Sequence, residues 1–147
     1  MRFSKTTDYA LRIMVALALS PEERLSLHTL ASREQIPRKF LEHVVRSLKE
    51  ANLVQSTPGP KGGYQLSLPA TLITVAQIIQ AIQGPLLPGD RLDPDSKPNH
   101  LKEPIKRLQM VVNDVRAFAR QRLEALTLAD LAEVRETGVH EMLMYYI

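Results

Sequence analysis

The segment Leu27–Leu68, LHTLASREQIPRKFLEHVVRSLKEANLVQSTPGPKGGYQLSL, decides the fold. Leu27, Leu30 and Ala31 stand at i, i+3 and i+4, the spacing of one apolar helical face. Ser26, just before them, suits the N-cap. Ile36-Pro37 then interrupts the pattern, and Pro37 fits the start of a new helix, where a missing N–H costs nothing. Beyond it Leu41, Val44, Val45 and Leu48 fall at i, i+3, i+4 and i+7. Lys39, Glu42, His43, Arg46 and Lys49 take the opposite face. One side of this helix suits a core, and the other carries the donors and charge that a reader of the DNA major groove needs. Leu53-Val54-Gln55 and Tyr64–Leu68 alternate as half-buried strands do, with Pro58-Gly59-Pro60-Lys61-Gly62-Gly63 as the hairpin tip between them. Helix, turn, helix and hairpin make a winged helix-turn-helix.

Upstream, residues 5–19 predict a helix whose apolar side (Leu11, Met14, Val15 and Ala18, widened by Tyr9, Ile13 and Leu17) is too broad to face water. A position between the wing and a dimer partner would cover it. Downstream, Thr74 caps a helix through Ile82 that Gly84-Pro85 stops. Residues 85–104 hold five prolines and few apolar side chains, the composition of a surface loop. From Ile105 a long helix carries Ile105, Leu108, Val112, Val115 and Ala119 at steps of three and four, slipping to Leu123 and Leu126. Such a seam calls for a second helix, most simply the same helix of another subunit. Thr127 caps a last short helix, Leu128 to Val134, and the apolar end Met142–Ile147 is expected to dock. The chain thus divides into a mainly α, winged-helix domain at 1–84, a loop at 85–104, and a dimerisation helix with its tail at 105–147.

Composition narrows the function classes. The 147 residues are 44% hydrophobic and 24% charged, ordinary for a globular chain with a real core. Residues 1–68 hold ten Lys/Arg against six Asp/Glu, and residues 69–147 hold nine against ten. The basic excess lies in the winged-helix half, as phosphate contact would require. The absence of cysteine excludes disulfides, thiolate metal sites and cysteine-bound clusters. His28, His43, His100 and His140 lack metal-ligand spacing, and Asp90, Asp93 and Asp95 lack the closing glutamate of a calcium loop. No nucleophile elbow or phosphate loop is visible, so no catalysis and no cofactor are expected. Neither a membrane span nor a signal peptide's apolar core appears, and a cytoplasmic location follows as the expectation.

Arg2-Phe3-Ser4, Asp8-Tyr9-Ala10-Leu11-Arg12, Phe40-Leu41-Glu42, Leu48-Lys49-Glu50-Ala51-Asn52-Leu53-Val54 and Pro60-Lys61-Gly62-Gly63-Tyr64-Gln65-Leu66 together resemble the Rrf2 family of bacterial transcription regulators. The likeness spans nearly the whole chain and weakens between Pro85 and Pro104 and in the last ten residues. It implies a homodimer on a palindromic operator in double-stranded DNA, with a recognition helix in the major groove and a wing in the minor groove. Many such regulators hold an iron–sulfur cluster through three cysteines where this chain runs from Pro88 to Leu101 without any. Members of that family often carry an arginine before the Gly-Pro of the wing, where this chain has Pro58.

Each candidate residue has a plainer reading beside it. Arg38, Lys39, His43 and Arg46 are either phosphate and guanine contacts or a solvated face. Glu42 either accepts from a cytosine amino group, as the resemblance implies, or is a surface carboxylate. Phe40 either touches a thymine methyl or packs under the first helix. In the wing, Gly59, Gly62 and Gly63 serve close approach or simple turn geometry, Lys61 is a minor-groove contact or a solubiliser, and Tyr64 goes with the glycines. Arg2, Lys5 and Thr7 could clamp phosphates. Two functions follow: a regulator, expected to act as a repressor, or an interaction adaptor that kept the fold and lost specific recognition. Without cysteine, control falls to a regulatory small molecule, a partner protein or abundance, and an effector is expected near the 85–104 loop.

Overall fold

Among residues 3–86 and 103–137, which the computed structural model describes, the elements are those of a winged helix followed by two further helices. In order they are α1 (Lys5–Ala18), α2 (Leu27–Glu34), α3 (Arg38–Glu50), β1 (Val54–Thr57), β2 (Gly63–Leu66), a 3-10 turn at Ala70–Leu72, α4 (Val75–Gln83), α5 (Glu103–Ala125) and α6 (Leu128–Thr137). Hydroxyl caps set the starts of α1, α2, α4 and α6. Ser4 Oγ accepts from the Thr7 N–H at 3.1 Å and Ser26 Oγ from Thr29 at 3.0 Å. Thr74 forms a full capping box, its Oγ1 accepting from the Gln77 N–H while the Gln77 side chain accepts from Thr74 N–H. Thr127 pairs with Asp130 in the same reciprocal way.

Two left-handed residues turn the chain at the functional end. Gln35 (φ 52°) ends α2 and sets up Ile36-Pro37, and Asn52 (φ 58°) follows α3 and returns the chain into β1. The hairpin pairs Val54 with Leu66, Gln55 with Gln65, Ser56 with Tyr64 and Thr57 with Gly63.

The core is built around α1. Ala10, Ile13, Met14 and Leu17 meet Leu30, Leu41, Val44, Leu48, Ile73 and Ile78 in one cluster. The broad apolar side of α1 is covered within this chain, by α4 and α6 together with α3, α2 and β2. Much of the cover that the sequence-based expectation assigned to a dimer partner comes from α6, which returns across α1. A two-bond bridge guides that return: Leu128 N–H donates to Ile73 O at 2.8 Å and Val75 N–H to Leu126 O at 2.9 Å. Leu128 is fully buried and Ala132 nearly so. The segment expected as a separate dimerisation unit therefore contributes α6 to the winged helix's own core.

The expected seam on α5 divides in two. Ala119 and Leu123, with Leu126, pack on Val75, Ala76, Ile79 and Leu86 of the same chain. Leu108, Val112 and Val115 are exposed, and Val111 and Phe118 widen the apolar stripe beside them. The side chain of Ile105 lies outside the described residues, as do Arg2, the candidates in residues 87–102, and the end Met142–Ile147. No helix among the described residues is long and apolar enough to cross a membrane.

Candidate nucleic-acid interface

The helix α3 is split cleanly by burial. Leu41, Val44, Val45 and Leu48 are buried, whereas Lys39, Glu42, His43, Arg46 and Lys49 are exposed. The apolar side anchors the helix, so its cations stand outward as rigidly as the core holds it. Arg38 Nε donates to Glu42 Oε1 at 3.1 Å, both side chains being well exposed. One oxygen of Glu42 is thus engaged by Arg38, in an exposed pair that contributes little to stability.

Phe40 reconciles its two readings. Its ring lies 6.1 Å from that of Tyr9, tilted by 52°, yet half of its surface remains exposed beside α3's first turn. Lys5 Nζ and the Arg12 guanidinium lie 5.9 and 5.8 Å from the same Tyr9 ring. Lys5, Phe40 and the start of α3 therefore form one corner, basic and aromatic together. Thr7 does not belong to it. It is fully buried, and its hydroxyl donates to Gln83 Oε1 at 3.1 Å, so it holds α1 to α4 and is out of reach of a phosphate. The helical periodicity that exposes Lys5 turns Thr7 inward.

The wing is wider than the hairpin motif suggests. Leu25 N–H donates to Tyr64 O at 2.9 Å and Tyr64 N–H to Leu25 O at 2.8 Å, adding a one-residue third strand. A single paired residue leaves no alternation to detect in the sequence. That bridge explains Gly63: a Cβ there would lie 2.9 Å from the Leu25 carbonyl, and its φ of 144° disfavours side chains as well. At Gly62 a Cβ would overlap the Thr57 carbonyl oxygen, while Gly59 faces open space. Close approach therefore accounts for Gly62 and Gly63, and Lys61 stands exposed at the tip. Tyr64 is half-buried in the groove between wing and recognition helix, bordered by Arg46 and Lys49 on one side and by His28 and Arg38 on the other. Helix cations, wing lysine and the Lys5–Phe40 corner give a basic surface with a helix that can enter a groove and a ribbon beside it, the geometry of DNA binding.

Over residues 3–134 the chain matches the model of a family described as Rrf2, iron-dependent transcriptional regulator. It belongs to the Rrf2 family. Among curated relatives, the HTH-type transcriptional regulator CymR of Bacillus subtilis is 33% identical over the full length of both chains. The solved structure of B. subtilis CymR, titled the global cysteine regulator, superposes with a TM-score of 0.74 at 32% identity, over 90% of this chain and 97% of that one. The structure titled T. potens IscR gives 0.73 at 27% identity, over 99% and 97%. This Rrf2 chain is thus a transcription regulator built on a winged-helix DNA-binding fold.

The family's description raises the question of iron. A cysteine-bound cluster has no ligands in a chain without cysteine. Among the described residues no three His, Asp or Glu side chains come together as a metal site either. By sequence the chain does not fit a cysteine-bound cluster, and its described residues do not fit an iron centre of His and carboxylates.

Sequence reasoning missed a buried carboxylate. Glu34, at the end of α2, is only 4% exposed and receives two arginines: Arg135 Nη2 at 2.9 Å and Arg12 Nε at 3.7 Å. Arg12 also donates to the Glu34 backbone oxygen. The pattern gave no signal because Arg12, Glu34 and Arg135 lie on three helices far apart in the chain.

Proposed function

We propose that this Rrf2 regulator binds a pseudo-palindromic operator as a homodimer and represses transcription there. The observation that carries the reading is α3, whose apolar face is wholly buried while Lys39, His43 and Arg46 stand outward beside a glycine-tipped wing. In this reading α3 enters the major groove, Lys39 and Arg46 meet phosphates or guanine edges, and His43 and Glu42 add base contacts. Lys61 and the wing backbone lie along the adjacent minor groove or its phosphates, and Arg2 and Lys5 hold the backbone. Support for the dimer comes from α5, where Val115 and Phe118 are 63% and 65% exposed on one apolar stripe with Leu108 and Val111. A second copy of that stripe would cover it, and two-fold pairing would set the half-site spacing.

Selection of bound duplexes from random DNA tests the proposal. An enriched palindrome is expected, with affinity falling steeply with salt. Enrichment of no sequence, with only salt-sensitive binding, would favour the adaptor that retains the fold, the reading that Pro58 in place of a wing arginine suggests.

A further inference from the structure

Between α1, α6 and the end of α2 lies an open cleft of about 570 Å³, within the range of small-ligand sites. Val15, Leu131 and Val134 form its apolar wall, and Arg12, Arg33 and Arg135 line its polar edge with one acid, Glu34, which pairs with Arg12 and Arg135. Arg33 is exposed and has no ion-pair partner among the described residues. An aliphatic wall beside a surplus of guanidinium groups is complementary to one kind of molecule, a small carboxylate with an aliphatic body.

We infer that this cleft binds a small amphipathic carboxylate that competes with Glu34 for its arginines. Its head would take Arg33 and the outer guanidinium of Arg135, forming the forked hydrogen bonds that arginine offers a carboxylate. Its body would lie on Val15, Leu131 and Val134. Drawing Arg135 away leaves the buried Glu34 with Arg12 alone. Glu34 is followed by Gln35, Ile36 and Pro37, and then by α3 itself, so a loosened brace acts on the element that carries Lys39 and Arg46. The ligand thereby lowers DNA affinity, a consequence that rests on the regulator reading, whereas occupancy of the cleft does not. The 85–104 loop at which an effector was expected lies mostly outside the described residues.

Isotope-labelled full-length protein titrated with sodium octanoate, octanamide and octylamine provides the test. Octanoate is expected to shift the amides of Val15, Glu34, Leu131 and Val134 saturably, with the change continuing through Gln35 to Lys39. Octanamide and octylamine should bind at least about tenfold more weakly, the loss expected for one charge-assisted contact. R33Q should weaken octanoate by a similar factor with an unchanged spectrum in the free form, because Arg33 makes no ion pair among the described residues. Equal binding of the three compounds, shifts confined to the α5 stripe, or contacts in the cleft from a second copy of the chain would each overturn the assignment. On a duplex enriched by selection, saturating octanoate should weaken binding about fivefold or more. Occupancy without that loss removes the regulatory role alone. Failure to enrich any duplex, with octanoate still seated in the cleft, removes the regulator reading and leaves the ligand site standing.

Discussion

Arg135 Nη2 lies 2.9 Å from Glu34 Oε1, a contact that joins α6 to the helix-turn-helix across 101 residues of chain. Arg12 completes the brace from α1, so three helices meet on one carboxylate. Both arginines keep part of their surface in water, which limits what the pairs contribute. Glu34→Ala should cost about 1–2 kcal/mol in urea unfolding, mostly from leaving Arg135 without its partner and opening a gap, since Arg12 keeps the residue-34 backbone oxygen and Asp8. A double-mutant cycle with Arg135→Ala should return a coupling of about 0.5–1 kcal/mol. Strict additivity would mean that the two side chains are neighbours without being partners.

Gly63 should tolerate substitution far less well than Gly59. Gly63→Ala sets a Cβ against the Leu25 carbonyl at a φ that side chains avoid, and Gly59→Ala meets only the second of these penalties. A loss of about 2–3 kcal/mol is expected for the first and about 1 kcal/mol for the second, read from thermal or urea unfolding. The same Gly63 variant should lose the protection of the Leu25 and Tyr64 amides in hydrogen exchange. Retained protection would show that the third strand of the wing bends around the methyl group.

Lys39 and Arg46 are expected to matter to DNA and not to folding. The double variant Lys39→Ala/Arg46→Ala should leave stability within about 0.5 kcal/mol, since both side chains lie on the exposed face of α3. If both meet phosphates, the slope of log affinity against log salt should shrink by roughly 2, near 0.9 per contact. Lys61→Ala should reduce it by about 1. Unchanged binding of the double variant at physiological salt would disqualify α3 as the reader.

Val115→Glu places a charge in the centre of the exposed apolar stripe of α5 while leaving the chain's own core untouched. With this stripe as the proposed dimer interface, sedimentation equilibrium should show a dimer for the parent protein and a folded monomer for the variant, with operator affinity falling accordingly. A dimer that survives the substitution would locate the interface elsewhere.

Asp130 gives the acid limb of stability a defined contributor. Hydrogen bonds from the Thr127 backbone N–H and hydroxyl hold its carboxyl below the usual value of 3.8. A carboxyl lowered in the folded state stabilises the fold above the unfolded pKa, and the contribution vanishes as pH falls through the folded one. Asp130→Asn should therefore be less stable than the parent at neutral pH, with the gap closing on acidification below about pH 4. Urea midpoints measured between pH 2 and 7 would show this, and a gap independent of pH would assign the effect to capping geometry alone.

Local pattern was sufficient for much of this molecule. The apolar spacing of Leu41, Val44, Val45 and Leu48, the caps Ser26, Thr74 and Thr127, and the Gly-Pro-Lys-Gly-Gly tip all act within a few residues. Helix starts, the outward face of α3 and the hairpin could accordingly be read from the chain, because capping and amphipathicity are short-range effects. Folding alone decided the features that depend on one residue meeting another far away. Leu25 became a third strand by pairing with Tyr64, Thr7 turned from a phosphate candidate into a buried link to Gln83, and α6 entered the core through Leu128. Ala119 and Leu123 were divided from the rest of their seam by the position of α4, and Glu34 found two arginines from opposite ends of the chain. None of these contacts has a period or a motif. Each follows from helices closing over a shared core, and only the closed core specifies which side chains meet.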